Sequence, residues 1–263
     1  SVTITNSTNG NGVNFHNNSG NLSFINGNMN ISTSSGTGIR ATTNTGNLTI
    51  TGSGNKLTTS SGSALHMVNI LYEAVISILK DNRFSGSAPA IVLDNTGPAG
   101  GLNVTGDNMN TSLGGNNSGG TIGGRTGSDG STTSGIGIYL NNASHVHLKR
   151  MQLSGTFQNF GLRGSNVSNF SMEYCTFTGT FGTNAGFDEG VVSFAGLTGT
   201  ALVRSSSLTG GLEDIIRIQN NSGNLDSLVI ENSFIGLNST SLGNDGIQME
   251  EHTSELQSHS RIS

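Results

Sequence analysis

Tryptophan is missing from the 263 residues, cysteine occurs once, proline twice, and only 10% of positions carry charge. Each shortage removes a way of being stable or active. With aromatic residues at 5%, the usual core of large rings has to be replaced by something else. The lone thiol, Cys175, cannot form an internal disulfide, and no Cys/His spacing of a zinc site occurs, so neither covalent nor metal staples are expected. Lys and Arg total 11 against 16 Asp and Glu, a net charge of -5 that provides no cationic stripe for phosphates, so a nucleic-acid partner is not expected. No apolar run approaches the roughly 18 residues of a membrane span. Simple disorder is disfavoured as well, because it goes with high charge and abundant proline.

What the chain does contain is glycine, 40 of them, with Asn, Ser and Thr spread between short aliphatic clusters, the texture of strands divided by turns. Self-comparison of the first hundred residues gives a period of 26. Small residues recur at Gly12, Gly38, Ala64 and Ala90. Each is followed by an apolar residue (Val13, Ile39, Leu65, Ile91), then by Asn14, Arg40, His66 or Val92, then by a second apolar residue (Phe15, Ala41, Met67, Leu93). That alternation predicts an inward-outward-inward strand. A second seam keeps the period through Phe24, Ile50, Ile76 and Leu102, with Leu22, Leu48 and Ala74 as its companion column. A looser third contains Ile31, Leu57 and Met109, interrupted at Arg83 beside Phe84, and Gly10, Gly36, Gly62 and Ala88 suit a tight bend before the first seam.

Three short strands per coil of about 26 residues is the architecture this predicts: an all-β right-handed parallel β-helix, or β-solenoid. One coil has too little apolar surface to fold alone, whereas stacking buries a continuous interior. Like columns become ladders about 4.8 Å apart, Asn-rich turns bond along the axis, and nine or ten coils make a rod on the order of 45 Å. The expected stack spans residues 1–249 as a single domain. Within it, 103–134 is a Gly/Ser/Asn-rich segment read as a long loop or irregular coil. Its GGTIGGRTG has no following Gly-Lys-Ser/Thr or helix, so a phosphate loop is not assigned.

The pattern resumes at Ile136, Ile138 and Leu140, returns one period later at Gly161-Leu162, and continues through Val191–Phe194, Ile215–Ile218 and Gly246–Met249. In Leu71–Lys80 a helix competes, since Leu71, Val75 and Leu79 share helical spacing, but Ile76 holds its seam and strand is preferred.

GIGIYLNNASHVHLKRMQLSG and LDSLVIENSFIGLNSTSLGNDGIQME resemble the right-handed parallel β-helix repeat family of large secreted bacterial proteins. The resemblance implies secretion or surface display in bacterial adhesin-like or autotransporter-passenger-like chains, with pectate-lyase-like enzymes as catalytic relatives. The composition changes at Glu250–Ser263, EEHTSELQSHSRIS, which resembles translated sequencing adapter and is read as a non-native tail on a fragment of a larger protein.

Acidic residues precede the first-seam strand of three late coils: Asp188 and Glu189, Glu213 and Asp214, and Asp245. Stacked carboxylates about 5 Å apart would repel unless a cation sits between them, and Ca²⁺ is the ion they would hold. The competing reading, which is preferred, is that Asp and Asn simply favour turns. His145 and His147 alternate on one strand beside Lys149 and Arg150, without an evident third ligand, and read as solvent-facing. A lyase also needs a positioned base, for which Arg204 and Arg217 are the nearby candidates. No catalytic residue and no cofactor is assigned. A structural or adhesive segment with glycans or host-surface ligands as partners is expected, and the alternative is a polysaccharide lyase or glycoside hydrolase of the same fold.

Overall fold

The computed structural model describes residues 2–6, 9–70, 74–76, 86–98, 100–236 and 244–251. Among these, every regular element is a strand, and every strand pair is parallel. The strands stack into a β-solenoid of about eight turns rather than nine or ten. At about 4.8 Å per rung that is roughly 38 Å of rod.

The first face begins with Val13–His16, Ile39–Thr42, Leu65–Val68 and Ile91–Asp94, paired Val13 to Ile39 to Leu65 to Ile91. This is the regular ladder expected from the sequence, and its inward residues are buried from Ile39 onward. The second face carries Leu22–Phe24, Leu48–Ile50, Ala74–Ile76 and Leu102–Val104. Its last rung departs from the expected period. Leu102 pairs with Ala74 and Val104 with Ile76, so Leu102 does not continue the Ile76 column. The corner before it is two residues longer, and because two is the strand's side-chain period, inward residues stay inward.

The third face begins Val2–Asn6, Met29–Thr33 and Lys56–Thr59, joining Ile4, Ile31 and Leu57. Met109 is not part of it: its side chain is 82% exposed. In that coil the third-face rung is Gly120–Ile122, paired with Met151–Leu153, and Ile122 is fully buried. The segment expected as one loop is therefore two excursions, 105–119 and 123–135, on either side of a core strand. Arg83, Phe84 and the flanks of Leu71–Lys80 lie outside the described residues, while Ala74–Ile76 is strand as expected.

Beyond the excursions the first two faces fuse. Ile136–Lys149, Phe160–Glu173 and Val192–Arg204 each run along one face, turn the corner and continue on the next. Leu162 pairs with Ile138, not with Ile136 as the sequence suggested, so this coil is shorter than the early ones. Leu162 then pairs with Val192, Val192 with Ile216 and Ile216 with Ile247. The core also changes. Phe157 and Phe181 stack with centroids 5.0 Å apart, and Phe170 meets Phe194 edge-on at 5.1 Å. Phe194 lies opposite Gly164, where an added Cβ would come within 2.3 Å of its ring, so the glycine makes room for the aromatic.

The corners explain the asparagines. Asn17, Thr43, Asn69, Asn95, Asn142 and Asn166, one per coil after the first-face strand, all have φ between 46° and 55°, and Gly196 follows at 87°. This left-handed conformation penalises a Cβ, and Asn is among the few residues that visit it readily. The amides then bond along the axis as expected: Asn142 Nδ2 donates to Asn95 Oδ1 at 2.7 Å, and Asn166 Nδ2 to Asn142 Oδ1 at 3.1 Å. The glycines before the first seam have a different cause from the tight bend anticipated. A Cβ on Gly36 would lie 2.0 Å from the Gly10 carbonyl oxygen, and one on Gly62 2.2 Å from that of Gly36. Coil stacked on coil, rather than left-handed backbone, requires them.

Candidate functional site

The register brings the late acids into two adjoining columns. Glu189 stands one coil from Glu213, and Asp214 one coil from Asp245, because Val192, Ile216 and Ile247 are partners. Each step is spanned by a carboxylate and a backbone donor. Glu189 N–H donates to Glu213 Oε2 at 2.7 Å, and Asp245 N–H donates to Asp214 Oδ1 at 3.0 Å. Glu189 itself is fully buried. Its Oε2 accepts from Thr183 N–H at 2.8 Å and Asn184 N–H at 3.2 Å, and its Oε1 accepts from Gly130 N–H at 3.2 Å. Converging backbone donors of this kind satisfy a buried carboxylate without a cation.

Asp188 points the other way, 68% exposed, and pairs with Arg217 Nη1 at 2.5 Å. Thus Arg217 is tied to an acid, while the other base candidate, Arg204, sits on the second face. Burial raises Glu213 above the ordinary glutamate range, with the charges of Asp188, Asp214 and Glu189 adding to it. Burial likewise raises Asp214, with Asp245 and Asp188 adding, against the pull of the Asp245 N–H and of Arg217. Among the described residues no group of three or more His, Cys, Asp and Glu side chains is arranged to hold a metal ion.

Asp129, in the second excursion, accepts from Asn184 Nδ2 at 2.7 Å, Gln158 Nε2 at 3.1 Å and Thr183 Oγ1 at 3.3 Å. Through Asp129 and Glu189 the excursion 123–135 is fastened to the loop after Phe181. The first excursion is held by Arg150, buried against the Tyr174 ring at 4.9 Å, whose Nε donates to Asn110 O at 2.7 Å and Nη1 to Thr105 O at 3.1 Å. Arg125 is also buried, and its Nη1 donates to Gly123 O and Gly124 O, turning inward on the glycine run that superficially suggested a phosphate loop.

The second face carries a device that the sequence did not disclose. Lys149, Glu173, Arg204 and Glu231 are successive partners, so their charges alternate along the axis. Lys149 Nζ lies 3.0 Å from Glu173 Oε1, Arg204 Nη1 lies 3.3 Å from Glu173 Oε2, and Arg204 Nε pairs with Glu231. The successive steps are unequal in length, which hides the column from any search at one period. His147 lies on this face with Nδ1 2.7 Å from Ser171 Oγ. His145 is exposed at a left-handed corner, φ 53°, and the two histidines are not joined in a ligand set. A shallow depression of about 610 Å³ runs over these rungs, lined by His147, Lys149, Ser171, Glu173 and Arg204 among others. Cys175 is wholly buried, which pushes its thiol up to about 12 and removes it as a nucleophile at neutral pH.

Glu250 continues the stack, in strand Ile247–Glu251 beside Ile216–Asn220, and its Oε2 accepts from Gln219 Nε2 at 3.1 Å. Residues 252–263 lie outside the described residues. Comparison with protein-family models, with curated proteins and with solved structures gave no match, so the parallel β-solenoid itself is the level at which the chain is classified.

Proposed function

We propose that this chain is a structural or adhesive segment of a secreted or cell-surface bacterial protein, a rigid display rod without catalysis. The reading follows from how the acids are employed. Glu189 spends both carboxylate oxygens, and Glu213 and Asp214 one each, on backbone N–H groups of neighbouring coils and loops. The alternating Lys149–Glu173–Arg204–Glu231 column and the Asn95–Asn142–Asn166 amides spread polarity along the axis, as a spacer requires. Glycans or host-surface molecules are the partners such a rod would present itself to.

A polysaccharide lyase or glycoside hydrolase is the second reading, and one observation favours it: Asp188 and Asp214 adjoin Arg217. Incubating the full chain with pectin and neutral glucans, with and without Ca²⁺, and assaying reducing and unsaturated sugar ends separates the two. The rod predicts no release and a core that survives trypsin. Release of sugar ends that Asp214→Asn abolishes would establish the enzyme instead.

A further inference from the structure

The outward column of the first face runs Tyr139, Arg163, Ser193, Arg217. The arginines are two rungs apart, about 10 Å of strand spacing, with Ser193 between and beneath them at 1% exposure. Arg163 Nη1 donates to Ser193 Oγ at 2.5 Å, and its guanidinium lies 5.3 Å from the Phe160 ring centroid. Neither partner carries charge. Arg217 is paired with Asp188, whose side chain is 68% exposed, and its own Nε is buried with no acceptor among the described residues. Arg217 thus has Asp188, and beyond it Asp214, as counter-charges, whereas Arg163 has no carboxylate within salt-bridge reach among the described residues. Burial and the nearby Arg217 charge both lower the Arg163 pKa, which marks the two cations as mutually repelling. The Arg163 fork, whose partners are a neutral hydroxyl and a ring, matches an oxyanion, with Arg217 as the second cation beyond Ser193.

We infer that Arg163, Ser193 and Arg217 form an oxyanion-binding site on the first face, taking a carboxylate or sulfate group, with Asp188 as the internal competitor for Arg217. The column continues toward His66 and Val92 through Tyr139, along a depression of about 520 Å³ that these three help to line. A polymer lying along the rod could therefore place its anionic group on the arginines and a ring against Tyr139. The site deepens the adhesive reading above and rests on it only for the choice of polymeric probes.

The test is calorimetric titration of the full chain with a sulfated oligosaccharide, a uronic-acid oligosaccharide of equal length and a neutral one. Binding by one or both acidic probes but not the neutral one is expected, and the sulfated and uronic arms identify the group. Arg163→Gln should weaken it at least about tenfold, the loss of a charge-assisted hydrogen bond. Asp188→Asn should tighten it several-fold, a gain that a merely structural change would not produce. Melting curves of each variant confirm that the stack persists. No preference for the acidic probes, or an affinity that either variant leaves unchanged, would overturn the site. Protease resistance retained in the same samples would confine that failure to the site and leave the rod reading standing.

Discussion

The N-terminal coils and those after residue 136 solve the same stacking problem by different means. Up to Ile91 the first-face strands are short, separate and evenly spaced, and apart from the partly buried Phe15 of the first rung their inward residues are Val, Ile, Leu, Ala or Met. From Ile136 to Arg204 three strands run 13 or 14 residues across two faces, the step from coil to coil varies, and buried phenylalanines fill the interior. Strict period goes with small interchangeable rungs, where any coil fits any other. Once aromatic rings enter, each rung must be shaped to its neighbour, as Gly164 is to Phe194, and coil length is free to vary because the fit is local.

The largest effects should come from the aromatic half. Phe181→Ala removes the stacking partner of Phe157 and should cost about 3–5 kcal/mol in denaturant unfolding. The like-for-like truncation in the aliphatic half, Ile39→Ala, should fall at the low end of about 2–5 kcal/mol. Equal losses would break the contrast. Glu189→Ala leaves the Thr183 and Asn184 N–H groups without their acceptor, while Gly130 N–H keeps Asn159 Oδ1, and about 3 kcal/mol is expected, read as a lowered urea midpoint. The Gly164–Phe194 fit sharpens the comparison further. Gly164→Ala should destabilise the native chain but be tolerated with Phe194→Ala, giving a coupling of about 1 kcal/mol or more in a double-mutant cycle. In the regular half, Thr43 is the β-branched exception in a column of left-handed asparagines, so Thr43→Asn should stabilise by about 1 kcal/mol.

The smallest effect concerns pH. Asp107 is held below its ordinary 3.8 first by the Met109 N–H and then by Asn116, and Asp129 is held below 3.8 chiefly by Asn184. A depressed carboxylate contributes stability above its unfolded pKa that is lost as pH falls through the folded one, so both excursions should loosen below pH 3.8. Glu213 and Asp214 have the opposite sign. Their folded-state values are raised, so their contribution is fully present below their unfolded values of 4.5 and 3.8 and declines as pH rises through the folded ones. Hydrogen exchange at pH 3 should therefore show exchange rising in 105–119 and 123–135 before it does in the strands around Val192 and Ile216.

Most of the first-face ladder was legible because Gly12/Gly38/Ala64/Ala90 and the apolar pairs beside them repeat without insertion. Register failed wherever a corner changed length: at Leu102, where the corner is longer, and at Leu162, where the coil is shorter. Met109 sat at the right spacing but in an excursion, and Ile122, the residue that takes the third-face place, was hidden by its glycine-rich surroundings. The acids were found by their position before each first-face strand. Their role was not, because their partners are backbone N–H groups, which carry no sequence signature. The Lys149–Glu173–Arg204–Glu231 column is built on unequal steps, which no single repeat period reveals.

Glu189, Glu213 and Asp214 bind the coils to one another through backbone N–H groups rather than through an ion. A calcium titration of the full chain followed by thermal melting tests it, since a ligand that binds the folded state must raise the melting temperature by mass action. No change up to millimolar Ca²⁺ is predicted. A concentration-dependent rise, lost when Asp188 and Asp214 are both replaced by Asn, would contradict it and make the acidic columns a metal site.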